Sequence, residues 1–341
     1  DGFDDLPEKL ARGMPDPERD ERIAEALADA VRDGAVPESR LDDMAARVLA
    51  AMDDVGMLDG DDERATGAVD TPEHREHARD VAARGTVLLK NDGDALPLAD
   101  DADVAAIGPN VDEAVLGGGG SSETTPVVST SPAEGMASRA AGDVTVARGL
   151  PRVEGVSMFD LLEGDDGGDG DARDPDLDGA ADAARDADAA VVFVRDTATE
   201  AMDRETLGLP GRQDELVERV AAAAPRTVVV VNASGPVELP WRDAVDAVLA
   251  NWYPGQAHGE AVASLCYGDV DPGGRLPVTF APEAAYPTAG DERRFPGLDG
   301  AVRYDEGVFV GYRWFDAADD RGAGAGDAEP TYPFGHGRSY A

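Results

Sequence analysis

Within Thr227-Val-Val-Val-Val231 the four valines, Val228–Val231, are apolar on both faces. Four successive β-branched side chains favour extended backbone. A strand that is apolar on both faces has to be covered on both, as a central strand of a parallel sheet is. Moving away from it in both directions, Ala189–Val194 and Ala247–Asn251 repeat the same short apolar character. Further strand candidates are Thr86–Leu89, Val104–Ile107 and Val144–Ala147. Between them run Ala-rich helical segments, Ala180–Arg185, Gln213–Ala223 and Gly259–Leu265. Alternation of strand and helix predicts an α/β fold: a mostly parallel sheet with helices on both faces.

The first sixty residues read differently. Ile23, Leu27, Ala30 and Val31 recur at helical spacing, and Gly34 is a stop signal. Ser39 and Asp42 form an S-x-x-D pattern that predicts a helix cap. Leu41, Met44, Ala45, Val48, Leu49 and Met52 then make one apolar stripe ending before Gly56. Residues 60–70 read as a polar connector and His74–Arg84 as a helix leading into the next unit. A chain of 341 residues suggests about two domains.

The charge is extreme. Asp and Glu total 71 against 30 Lys and Arg, a formal net charge of −41, and the only lysines are Lys9 and Lys90. Phosphate neutralisation needs a basic face, so a nucleic-acid partner is excluded, and so is attraction to an anionic membrane surface. No apolar run approaches the length of a membrane-spanning helix, so no membrane insertion is expected. At about 1 M salt the Debye length shrinks to roughly 3 Å, which screens self-repulsion. The composition resembles that of proteins from extremely halophilic archaea. It leaves localisation open between a high-salt cytoplasm and secretion.

Several motifs lead nowhere. Gly117–Gly120 lacks the Lys-Ser/Thr of a phosphate loop and the G-x-G-x-x-G spacing of a dinucleotide site, so it reads as a plain flexible loop and no nucleotide cofactor is expected. His74 and His77 share a spacing of three without a third ligand fixed by motif, which argues against a metal. No G-x-S-x-G elbow is present. The single Cys266 excludes an intrachain disulfide and reads as a small buried hydrophobe. Residues 164–178, rich in Gly and Asp, read as a mobile insertion.

A further set of blocks is more specific. Gly85-Thr-Val-Leu-Leu-Lys-Asn91, Leu96-Pro-Leu98 and Ile107-Gly-Pro109 come first. Asp203-Arg204, Leu209-Pro-Gly211 and Gln213–Leu216 follow, then Trp252-Tyr-Pro-Gly-Gln256 and Gly268-Asp-Val-Asp-Pro-Gly-Gly-Arg-Leu-Pro-Val-Thr-Phe280. Tyr304-Asp-Glu-Gly307, Val310-Gly-Tyr-Arg313 and Pro333-Phe-Gly-His-Gly337 close the series. In this order they resemble the second domain of family 3 glycoside hydrolases, of the β-glucosidase type. Residues 35–58 resemble the end of that family's first domain. The resemblance implies a C-terminal remnant of a (β/α)₈-like barrel over 1–60, a linker and connecting helix over 61–84, and an α/β sandwich domain over 85–341. It also implies that the chain, which begins at Asp1 rather than Met, is processed or part of something longer.

The implied chemistry is retaining hydrolysis of β-glycosides by two carboxyl groups. By the family's motif the acid/base falls on Glu200, three residues before Asp203-Arg204, on a loop after the strand Ala189–Val194. Partial burial there would raise its pKa. Glu205 is the alternative acid/base, and Glu200 would then be one more surface acid. Arg195 and Ala201 stand where the family usually has Gly. Asp203 and Arg204 are expected to brace the loop as a local ion pair. The nucleophile is either Asp1, upstream of Ala11-Arg12-Gly13-Met14, or a residue that precedes the chain. Trp252, Tyr253, Tyr312 and Trp314 are open between stacking on sugar and core packing.

The expected partner is a carbohydrate substrate, together with a barrel domain or subunit. Lacking most of the barrel, the chain by itself is expected to be inactive. The alternative is a non-catalytic carbohydrate-binding or scaffolding module acting with a separate barrel subunit. The sugar and its linkage stay open.

Overall fold

A computed structural model describes residues 17–58, 67–155, 174–200, 204–317 and 329–340. The chain divides into two compact units, residues 1–69 and 70–341.

The first unit contains α1 (Pro17–Arg32) and α2 (Glu38–Asp54). Gly34 and Gly56 follow them with φ of 73° and 72°, the left-handed conformation that glycine adopts at a helix end. The Ser39 cap is not formed. Helix α2 starts two residues earlier, with Pro37 in the capping position and no side-chain cap bond. Ser39 is therefore already inside the first turn. The apolar stripe of α2 is present, but no residue of this helix is buried: Val48 is 61% exposed and Leu49 51%.

The second unit opens with α3 (Pro72–Gly85), capped by Thr71, whose hydroxyl accepts from His74 N. Then come β1 (Val87–Asn91), β2 (Val104–Ile107), α4 (Pro132–Arg139), β3 (Val144–Ala147) and α5 (Leu177–Arg185). They are followed by β4 (Ala189–Arg195), α6 (Gln213–Ala223), β5 (Thr227–Asn232), β6 (Ala247–Ala250), α7 (His258–Cys266) and α8 (Tyr312–Asp316). All six expected strands form, with ends shifted by at most two residues.

The strands make one sheet in the order β1-β6-β5-β4-β2-β3. Five strands run parallel, and β1 pairs antiparallel with β6 through a register shift between Leu88 and Lys90. β5 is buried along its whole length. One face of the sheet packs Val192, Val229 and Val248 against Leu216, Val217 and Val220 of α6 and Ala180 and Ala184 of α5. The other packs Val191, Val228, Val230 and Leu249 against Met136 of α4 and Val262 and Cys266 of α7. Cys266 is buried on its helix, as expected.

Helix α4 begins with a capping box that the sequence reading passed over. Ser131 Oγ accepts from Glu134 N while the Glu134 carboxylate accepts from Ser131 N and Oγ. Helix α5 starts three residues before its expected start, because Asp176 accepts from Gly179 N at 2.9 Å. Most of the Gly/Asp stretch before it, residues 164–173, lies outside the described residues. The tail folds back on the sheet: Arg338 pairs with Leu88 and Tyr332 with Phe280. His336 bonds Leu89 O through Nε2 at 2.8 Å.

Candidate active site

The strand order reverses at β2, which has β3 on one side and β4 on the other. In open α/β sheets the connections leave in opposite directions at such a point, and a crevice opens beyond the carboxyl ends of the strands. Here the chain leaving β2 and the chain leaving β4 do enclose a cleft of about 280 Å³. Residues 113–119 and 122–124 line one wall, Arg195–Thr199 the other, and Tyr253 closes the end.

Glu200 directly follows the β4 wall. Its Oε2 accepts from Ser121 N at 2.6 Å, across 79 residues of sequence. This contact explains the glycine run, which is no plain flexible loop. A Cβ at Gly120 would lie 2.5 Å from Glu200 Cβ, one at Gly119 3.2 Å from Thr199 Oγ1, and one at Gly118 3.1 Å from the Tyr253 hydroxyl. Gly119 and Gly120 also have φ of 71° and 67°. Gly118–Gly120 are bare because the acid-bearing loop and Tyr253 pack against their backbone, whereas a Cβ at Gly117 would meet nothing within 4 Å.

The electrostatics of Glu200 reverse the expectation. The side chain is exposed. Hydrogen bonding from Ser121, through its hydroxyl and its backbone N–H, holds the carboxyl below the ordinary glutamate value and outweighs desolvation. At neutral pH Glu200 is therefore ionised: set up to accept a proton, not to donate one. Glu205 is exposed and makes no hydrogen bond to the described residues. Asp1 and Asp203 lie outside the described residues, as does Ala201.

Arg204 braces the loop through Asp196, eight residues before it, and Pro236, 32 residues after it. Its Nη2 donates to Pro236 O at 3.0 Å, and Nη1 lies 3.4 Å from the buried carboxylate of Asp196. Asp196 Oδ2 in turn accepts from Ser234 N and Oγ at 3.1 and 3.0 Å. Gln213 clamps the start of the loop from the first residue of α6. Its Oε1 accepts from Arg195 N at 2.9 Å, and its Nε2 donates to Arg195 O at 2.8 Å and Pro210 O at 3.0 Å. Gln213 is fully buried. The signal for its role was a lone amide at a helix start, two residues after the Leu209-Pro-Gly211 block, where an apolar residue would otherwise pack.

The aromatics divide. Tyr253 lines the cleft and donates a long bond of 3.4 Å to Ala198 O. Trp252 turns into the core, edge-on to Phe280, with a φ of 53° that is uncommon for a bulky residue. Tyr312 stacks on Phe334, and Trp314 Nε1 donates to Ala285 O at 3.0 Å. His74 and His77 are exposed on α3. Among the described residues no cluster of three or more His, Cys, Asp and Glu is arranged to hold a metal, and no helix is long and apolar enough to cross a membrane.

Residues 86–312 match the glycosyl hydrolase family 3 C-terminal domain. The chain is 32% identical to a β-glucosidase of Rhizobium radiobacter over 96% of its own length and 55% of that protein. It is 34% identical to the thermostable β-glucosidase B of Acetivibrio thermocellus, over 92% of this chain and 38% of the relative. A family 3 β-glucosidase from Bifidobacterium adolescentis superposes with a TM-score of 0.76 at 32% identity, covering 96% of this chain and 44% of that one. The chain thus spans about half or less of the length of these relatives. Its six-stranded sheet, the ordered blocks and the match over residues 86–312 lead to one assignment: the chain belongs to glycoside hydrolase family 3 and contains the family's C-terminal domain.

Proposed function

We propose that this chain carries the acid/base of a retaining β-glycosidase, and that Glu200 is that group. One observation supports this above the others: the carboxylate in the family's motif position directly follows the Arg195–Thr199 wall of the switch-point cleft, and its Oε2 accepts from the Ser121 amide. In a retaining mechanism the carboxyl first protonates the departing oxygen and then, as carboxylate, takes a proton from the water that attacks the glycosyl-enzyme. With its pKa lowered, Glu200 is ready for the second step only. Readiness for the first needs desolvation and a second carboxylate nearby, at about 5–5.5 Å in such enzymes. That nucleophile is Asp1 or an aspartate of a preceding barrel segment. The chain by itself is therefore inactive, and a barrel supplied in cis or in trans completes the site. The test is nitrophenol release from a nitrophenyl β-glucoside. We expect none above background from the chain alone and turnover once a family 3 barrel is joined to it. Rapid turnover by the chain alone overturns the reading.

The same chain is built for concentrated salt. Its exposed Arg–Asp pairs, such as Arg139 between Asp100 and Asp269, offset only a small part of a charge of −41. Raising salt from about 0.1 M to about 1 M shortens the Debye length from roughly 10 to 3 Å. The midpoint of thermal unfolding should rise by several degrees over that range. A midpoint that is flat or falls would remove the halophilic reading.

A further inference from the structure

A small cavity lies between the start of α7 and the carboxyl ends of β4 and β5, lined among others by Asn110, Val115, Phe193, Arg195, Asn232 and His258. His258 is 1% exposed. Its Nδ1 accepts from Val115 N at 3.1 Å. A backbone N–H can only donate, so Nδ1 is bare and the neutral ring carries its proton on Nε2. That Nε2–H is buried and meets no protein acceptor among the described residues. Burial, with the Arg195 guanidinium nearby, pushes the imidazole down to about 3, so the ring does not escape by charging.

Asn232 offers the complement. Its Nδ2 donates to Asn251 Oδ1 and to Trp252 O, both at 3.1 Å. Trp252 O can only accept, which fixes the amide orientation and leaves Asn232 Oδ1 free to accept, with no hydrogen bond to it among the described residues. Asn110 is already engaged: its Oδ1 accepts from Val153 N, and its Nδ2 donates to Glu113 and Val153 O. The cavity measures about 10 Å³. That is room for a single water, which needs two or more polar partners to be held.

We infer that one structural water occupies this cavity, accepting from His258 Nε2–H and donating to Asn232 Oδ1, and that His258 is a positioning residue for the loop that holds Glu200. Through Nδ1 it ties Val115 at the head of that loop. Through the water and Asn232 it ties Trp252 O, beside Tyr253 at the other end of the cleft. The Val115 wall and the Tyr253 end of the cleft thus hang from one buried cluster. The link to catalysis rests on the proposed role of Glu200; the water and the loop anchoring do not.

The test uses the full chain and needs no activity. A high-resolution crystal structure should show one water within hydrogen-bond distance of His258 Nε2 and Asn232 Oδ1. Long-range ¹H–¹⁵N NMR at neutral pH should show Nε2 protonated and Nδ1 bare. In His258→Leu the Val115 and Ser121 amides should exchange with solvent roughly tenfold faster or more. The Glu200 carboxyl should titrate upward, toward its ordinary value, as the Ser121 bond loosens. His258→Gln, which can accept and donate, should restore both. A dry cavity or a protonated Nδ1 overturns the proposal, and both are read on the wild-type chain even if His258→Leu does not fold. A folded His258→Leu variant that is less stable but leaves the Glu200 titration unmoved overturns the positioning role.

Discussion

Glu200→Gln, in the chain joined to a family 3 barrel, lowers turnover of alkyl β-glucosides and disaccharides by about 10²–10⁴-fold, the usual contribution of a positioned acid–base group. The loss should follow the basicity of the leaving group. A sugar alkoxide needs its proton as the bond breaks, whereas a dinitrophenolate leaves without one. With the dinitrophenyl β-glucoside the first step survives and the glycosyl-enzyme accumulates, because the attacking water has lost its base. Azide needs no base, so it should restore turnover and yield a β-glycosyl azide of retained configuration. Gln keeps an oxygen for the Ser121 N–H, so loop geometry is not the variable. The pH profile supplies the sign. Ser121 holds Glu200 below the ordinary value in this chain. An alkaline limb above the ordinary glutamate value in the joined enzyme would therefore mean that completing the site raised it. Glu205→Gln serves as the comparison and should stay near wild type. An unchanged rate in Glu200→Gln would leave the chain as a carbohydrate-binding module, and a loss confined to Glu205→Gln would exchange the two roles.

Gly259→Ala should destabilise the second unit by about 2–3 kcal/mol, although alanine is the better helix former by roughly 1 kcal/mol. The two effects have opposite signs, and the packing decides between them. Gly259 in α7 faces Gly135 in α4. A Cβ at Gly259 would lie 1.9 Å from Ser131 O, and one at Gly135 would lie 2.1 Å from Gly259 C and O. These are backbone atoms, so no rotamer change relieves the clash and the helices must separate. Separation would open the contacts of Met136 and Val262 with the sheet. It would also strain the Gly259 N bond to Thr130 O, now 2.9 Å. Urea unfolding measures the change. Gly85→Ala is the control: this glycine ends α3 with nothing within 4 Å of its Cβ position, so the substitution should be neutral or stabilising. Gly259→Ala as stable as wild type would mean that the two helices are not in backbone contact.

Most of the second unit could be read from the chain because its signals are local. Runs such as Val228–Val231 and Ala189–Val194 state by composition that they are strands covered on both faces, and Gln213–Ala223 states its period within three turns. The ordered blocks from Gly85 to Gly337 carry the family in the same way. The Ser39 cap failed for a local reason too: Pro37 had already taken the boundary. The antiparallel pairing of β1 was beyond reach, since strand direction depends on the path of the chain around the sheet and not on the residues of the strand.

The site divides along the same line. Motif position alone lifted Glu200 from a background of 71 acids, and composition alone argued against a polyanionic partner. What only the folded chain decided was the electrostatic state of Glu200, the reason for three consecutive glycines, Gly118–Gly120, and the clamps made by Gln213, Arg204 and His258. Each of these depends on at least one contact between groups 18 to 143 residues apart that the folded sheet brings together. Hydrogen bonds and close packing act over a few ångströms of space, so a property made by such contacts is absent from any local stretch of sequence until the sheet brings its parts together.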